Sequence, residues 1–152
     1  MKTATFNKQS IFKTGDSFGP LLLRVAAGLV MLVHGSQKVF GTFGGYGFSG
    51  TMNFFTETMH LPWLIALLVI AIEFFGSIAL ILGLTTRLAA FGITAVALGI
   101  VITSHIQYGF FMNWYGSQKG EGIEYFILYI AISASLVITG GGKFSVDRLI
   151  QR

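Results

Sequence analysis

Hydrophobic positions gather into four long runs separated by polar or glycine-rich intervals, a pattern that predicts membrane-crossing helices joined by short connections. The first run, Leu21 to Gly41, reads LLLRVAAGLVMLVHGSQKVFG and is broken by Arg24, His34, Gln37 and Lys38. At about 100° per residue on an α-helix, positions 24, 28, 31, 34, 35 and 38 share an arc of roughly 120°. Arg24, His34 and Lys38 therefore form a stripe with Gly28, Met31 and Gly35, while Leu22, Leu29, Val33 and Phe40 make the opposite face wholly apolar. Ionisable side chains in membrane helices usually face the bundle interior or a wet cavity, so this helix is expected to be apolar toward lipid and polar toward its neighbours.

The other elements follow in order. Residues 1–18 are polar and basic and read as a tail with a turn around Ser10 to Phe12; Pro20 suits a first helical turn. Gly41 to Gly50 holds five glycines and is expected to be a loop. Phe48, Met52, Phe55 and Met59 recur at helical spacing and predict a short amphipathic helix on the membrane surface, ended by Pro62. The second span, Pro62 to Gly83, carries Glu73 as its only charge. Leu84 to Arg87 is too short for anything but a hairpin of antiparallel helices. The third span, Leu88 to His105, has a small-residue ridge of Ala89, Gly92, Ala95 and Gly99, which makes a helix-mediated homo-oligomer plausible. The loop Ile106 to Gly122 carries Tyr108, Phe110, Phe111, Trp114 and Tyr115, residues of the kind that seat among lipid headgroups. The fourth span, Ile123 to Thr139, opens on Glu124 and Tyr125 and stops at Gly140 to Gly142. The expected fold is all-α: an antiparallel bundle of four transmembrane helices over residues 19–142, a short interfacial helix between the first two, and a basic tail over residues 143–152.

Composition agrees with this pattern: 53% of the 152 residues are hydrophobic and only 11% charged, against about 25% charged in soluble domains. The net charge of +4 has its explanation in topology and not in nucleic acid, for which there is no signal. Lys2, Lys8, Lys13, Arg24, Arg87, Lys143, Arg148 and Arg152 would lie on the side of the termini, and only Lys38 and Lys119 on the other, which places both termini in the cytoplasm. A cleaved signal peptide is disfavoured by Arg24 inside the apolar run, by the lack of a small-residue cleavage site and by three further spans. The absence of cysteine excludes disulfides, thiolate metal sites and CxxC redox chemistry.

The polar residues offer several chemistries. Counting about 1.5 Å per residue from the inner helix ends puts Arg24 roughly 7 Å deep, Glu73 about 15 Å and His34 about 20 Å. Arg24 is then within reach of Glu73, and Lys38 lies too high. The structural reading is a buried Arg24 to Glu73 ion pair that fixes packing. The functional reading makes Glu73 a proton-accepting group beside a quinone-like ligand, with His34 as hydrogen-bond partner. His34 and His105 could ligate a haem across the bundle, although both stand near helix ends and a capping or hydrogen-bonding role is commoner for a lone histidine. Zinc would require His34, His105 and Glu124 to converge, and His60 reads as interfacial. A polar stripe along the first helix would also suit a small-molecule or proton conduit.

The ordered pattern LLLRVAAGLVMLVHGSQKVFG, IEFFGSIALILGLTTRLAA, GFF and GIEY resembles the DoxX family of small four-helix bacterial membrane proteins, over about Leu21 to Asp147. The resemblance implies a multi-pass protein of the bacterial inner membrane, associated with respiratory or sulfur-linked oxidoreductases as a small subunit of a quinone-reducing or quinol-oxidising assembly. By position, its motif residues are Arg24, His34, Gln37, Lys38, Glu73, Arg87, Glu124 and Tyr125. Relatives that work with thiols would need cysteines, so dithiol exchange by this chain itself is excluded. The alternative is a non-enzymatic assembly or scaffold protein in which the same charges only lock the bundle.

Overall fold

The computed structural model describes residues 11–151, and among these the regular structure is entirely helical. Lys2, Lys8, Arg152 and most of the first tail lie outside the described residues. Three helices are long and apolar enough to cross a membrane: α1, Gly19–Phe40; α3, Trp63–Leu82; and α4, Thr86–Tyr108. A short helix α2, Gly47–Asn53, runs on into a π-helical turn at Phe54–Thr58. The apolar helix α5, Glu124–Thr139, has 16 residues, and α6, Val146–Ile150, closes the chain.

Local chemistry sets the helix limits. Pro20 occupies the first turn of α1, where its missing donor costs nothing. Gly41 closes α1 at φ 73°, its N–H donating to the Gln37 carbonyl, and Gly83 closes α3 at φ 67°. Both are left-handed caps that favour glycine. Thr85, also at positive φ, gives α4 no side-chain cap. Asp147 does so from α6: its two carboxylate oxygens accept from the N–H groups of Thr85 at 2.6 Å and Thr86 at 2.8 Å. Residues 143–151, expected as a basic tail, therefore fold back onto the α3–α4 turn.

Arg24 explains much of this end of the bundle. It is 1% exposed, and its guanidinium donates to the carbonyls of Leu80, Ile81, Gly141, Lys143 and Phe144. Two of these, Leu80 and Ile81, lie in the last turn of α3, where the helix dipole favours a cation; the Leu80 carbonyl also accepts from Gly83 N–H. Lys143 N–H donates to the Ser17 carbonyl, Gly142 N–H to Thr14 Oγ1, and Arg148 pairs with Asp16 at 2.6 Å. The start of α1, the α3–α4 turn and the segment after α5 thus meet at one end, here called the terminal end, so α1, α3, α4 and α5 alternate in direction.

Close packing fixes the register of α1 on α3. A Cβ added at Gly28 would lie 2.7 Å from the Ile81 side chain, and one at Gly35 within 2.8 Å of the Glu73 and Phe74 backbone. Only glycine permits this approach. The core is Ala27, Met31, Leu80, Ala90, Ile93, Ala97, Tyr129 and Leu136, with a smaller cluster of Met52, Ala66 and Ile70 beneath α2. Of the small-residue ridge of α4, Gly92 packs against Ile72, while Ala95 and Gly99 border a cavity.

Candidate functional site

The register of α1 on α3 decides which cation meets Glu73. Arg24 stands opposite Leu80 and Ile81, and Gly35 opposite Glu73 and Phe74. The zero of depth therefore differs between the helices, because α3 ends beside Arg24 and not beside Gly19. The expected pair of Arg24 with Glu73 is replaced by Lys38 with Glu73, Nζ to Oε2 at 2.6 Å. Helix side chains lean toward the N-terminus, which brings Lys38 down to the level of Gly35. Glu73 is 1% exposed and the Lys38 side chain 23%. Apart from this ion pair, Glu73 Oε2 has no partner among the described residues.

The pair stands on the wall of a cavity of about 470 Å³ between α1, α2, α3 and α4. Ile65, Leu68, Val69, Ile72, Val96 and Ile100 make most of the wall apolar, Phe54, Phe55 and Met59 close the α2 side, and Thr103, Ser104 and His105 supply polar groups from α4. Three π-helical turns, at Phe54–Thr58, Ile72–Gly76 and Val101–His105, each contribute residues to this wall. Such turns displace side chains from regular helical positions and are frequent at functional sites. A few convergent polar groups in an otherwise apolar hollow of this size form the usual architecture of a small-molecule site.

The family model described as DoxX matches residues 19–106. The chain belongs to the DoxX family. Every residue bordering the cavity lies inside the matched stretch of this DoxX protein. It is 30% identical to "Putative oxidoreductase CatD" of Bacillus subtilis over 87% of each chain. It is also 28% identical to "Inner membrane protein YqjF" of Escherichia coli, over 90% of this chain and 95% of the relative. "Inner membrane protein YphA" of Escherichia coli is 26% identical, over 84% of this chain and 87% of the relative. No solved structure matches the chain at a significant level.

Of the candidate residues expected from the sequence of this DoxX protein, the motif residues Lys38 and Glu73 meet the polar candidate His105 at the cavity, and Gln37 borders a chamber beside it. Arg24 belongs to the terminal-end network instead. His34 is a correction: it lies on an exposed face of α1 and not in the bundle interior, because Gly35, the next residue, takes the position against α3. His34 cannot then be the hydrogen-bond partner expected beside Glu73, and it does not face His105 as a haem ligand pair would. Glu124 accepts from Met112 N–H at 3.1 Å and orders the aromatic loop. His34, His105 and Glu124 do not converge, and no group of three metal-ligating side chains occurs among the described residues. Tyr125 stacks on Tyr129 with ring centroids 5.8 Å apart, and its buried hydroxyl has no partner among the described residues. Arg87 donates to the carbonyls of Lys13 and Val137, a structural role. His105 Nδ1 donates to the Glu121 carbonyl at 2.8 Å, which can only accept, and the ring packs on Phe126. Sequence reasoning missed Phe54, Phe55 and Met59, whose spacing looked only interfacial, and Thr103 and Ser104, whose signal was a polar run closing an apolar helix. It also missed Asp147, which looked like part of a tail.

Proposed function

We propose that this protein is a membrane subunit that holds a lipid-soluble ligand of the quinone class in the cavity beside Lys38 and Glu73, and serves an oxidoreductase assembly of the inner membrane. The single observation that carries the reading is a buried ion pair exposed to an apolar cavity of about 470 Å³. The residues fit such a ligand. Its apolar ring and tail suit the Ile, Leu and Val walls, and two carbonyl oxygens would find donors in the Lys38 ammonium on one side and the Ser104 hydroxyl on the other. When bound, a quinone supplies two-electron, two-proton redox chemistry. The chain's own groups orient the headgroup, exclude bulk water and offer Glu73 as a proton acceptor. The name of the relative CatD as an oxidoreductase supports the same direction.

In this reading α1, α3, α4 and α5 all cross the bilayer, with the terminal end in the cytoplasm. α5 spans about 24 Å at 1.5 Å per residue, and the remaining thickness is met by the ordered loop, where Ile123 N–H donates to the Gly109 carbonyl and Glu124 N–H to the Phe110 carbonyl. The helix α2 lies along the membrane surface with Phe48 outward.

The test is to purify the protein from native membranes, extract it with organic solvent and quantify quinone by chromatography. Stoichiometric quinone that falls in Glu73→Gln and in His105→Ala, with the protein still folded, supports the reading. Equal quinone in these variants and in an unrelated membrane protein refutes it. A locking role has its own support in the terminal-end network around Arg24, which binds only groups of the same chain. On that reading Glu73→Gln lowers stability and leaves quinone content unchanged.

A further inference from the structure

A second, polar chamber of about 270 Å³ adjoins the apolar cavity. Gln37, Lys38, Thr51 and the glycine loop at Gly44 and Gly45 line it, and Lys38, Phe54 and Phe55 line both spaces. The two hollows are thus partitioned by one cation and two phenyl rings. The polar chamber lies at the loop end of α1, away from the terminal end. Toward the terminal end, the core residues Met31, Ala27 and Leu80 and the fully bonded Arg24 fill the space between α1 and α3. A space of this volume, bordered by an amide, a hydroxyl and an ammonium, accommodates several waters with the polar partners each requires.

We infer that the polar chamber is a water-filled inlet through which Glu73 exchanges protons with the aqueous phase at the loop end and not with that at the terminal end. This rests on the reading of the apolar cavity as the ligand site, whose exposed wall residues Ile65 and Leu68 do not border the chamber. In an exchange the Lys38 ammonium passes a proton to the Glu73 carboxylate across their 2.6 Å contact, and the amine takes up a hydronium proton relayed through the chamber, so that one proton leaves the aqueous phase and water is returned. The other titratable groups near this junction are disposed otherwise. His34 of α1 is exposed, Glu57 and His60 near α2 are exposed, His105 of α4 sits on the far wall of the apolar cavity, and the Tyr129 hydroxyl of α5 is engaged with the Ala27 carbonyl. Tyr125 of α5 is buried beside Tyr129. Tyr46 borders the chamber but not the apolar cavity and is largely exposed, so among the described titratable groups Lys38 alone lines both hollows and contacts Glu73.

The absence of cysteine makes the full-length chain a ready background for thiol accessibility. Thr51 and Met52 are almost equally buried, 4% and 6% exposed, but only Thr51 borders the chamber. Thr51→Cys, Gln37→Cys and Met52→Cys are placed in sealed membrane vesicles of each orientation and treated with a charged, impermeant methanethiosulfonate, with the adduct read by intact mass. The expected result is a complete mass shift for Thr51→Cys and Gln37→Cys from the loop face, with none for Met52→Cys and none from the terminal face. No shift at positions 37 and 51, a shift only from the terminal face, or equal shifts at all three positions overturns the inlet. In parallel, dicyclohexylcarbodiimide enters from the lipid, activates the Glu73 carboxyl and lets Lys38 Nζ displace dicyclohexylurea to form an amide, so that the protein is lighter by one water. That coupling reports the apolar cavity, so a dry chamber with an open cavity overturns the inlet and leaves the ligand site standing.

Discussion

Removing either member of the Lys38–Glu73 pair should have unequal consequences, and the inequality is set by burial. Lys38→Met leaves a carboxylate that is 1% exposed without its counter-charge; breaking a buried pair in this way costs about 3–5 kcal/mol. Glu73→Gln leaves an ammonium whose side chain is 23% exposed and can turn its long stem into the polar chamber, so the loss should fall to about 1–2 kcal/mol, the scale of one lost charged hydrogen bond. Lys38→Met with Glu73→Gln removes both charges from an apolar setting and should return to within about 1.5 kcal/mol of the parent, since a well-packed apolar replacement of a buried pair is often nearly neutral. Unfolding in mixed micelles with increasing denaturing detergent, followed by far-ultraviolet circular dichroism, gives the three free energies. The double mutant should be more stable than Lys38→Met alone, and the two single losses less that of the double give a coupling of about 2.5 kcal/mol or more. Additive losses, with coupling below about 0.5 kcal/mol, would refute the claim that these two residues form one electrostatic unit.

Three further outcomes follow from the packing. Gly35→Ala should lose about 1–3 kcal/mol in the same assay, because the new methyl meets only backbone of Glu73 and Phe74 within 2.8 Å. Gly76→Ala, whose Cβ would find side chains at 3.6 Å and beyond, should be neutral or stabilising by up to about 1 kcal/mol, and equal losses at both positions would contradict the close approach of α1 and α3. Arg24→Lys offers three donors where five carbonyls now share a guanidinium and should lose about 2 kcal/mol or more, since each stranded buried acceptor costs roughly 1–3 kcal/mol; unchanged stability would refute the network. Asp147→Ala should lower stability by about 1–2 kcal/mol, as for a lost helix cap, and should speed hydrogen exchange at the Thr85 and Thr86 amides while leaving α5 protected.

The long apolar runs made the helices legible because hydropathy and length act locally: three of the helices reach membrane-crossing length within a few residues of the expected limits. Pro20, Gly41 and Gly83 marked ends for the same reason, since each restricts or frees its own backbone. The buried stripe of α1 was also legible in Arg24, Gly28, Met31 and Gly35. Periodicity failed at His34, because an arc of about 120° includes positions at its edge, and the contact of Gly35 with α3 turned that edge outward.

Partner choice was not legible. Counting depth from helix ends assumed that α1 and α3 begin at one level, whereas their offset depends on where two glycines let the backbones touch. That offset gave Glu73 to Lys38 and Arg24 to a ring of carbonyls. The π-helical turns and the cavity between four elements likewise depend on contacts distant in sequence. The order of residues by itself determined that this is an apolar helical chain with a few costly charges, because burial of side chains in lipid or protein is decided one residue at a time. Only the tertiary structure decided which charges meet and what space they enclose, because an ion pair and a cavity are properties of the distance between helices.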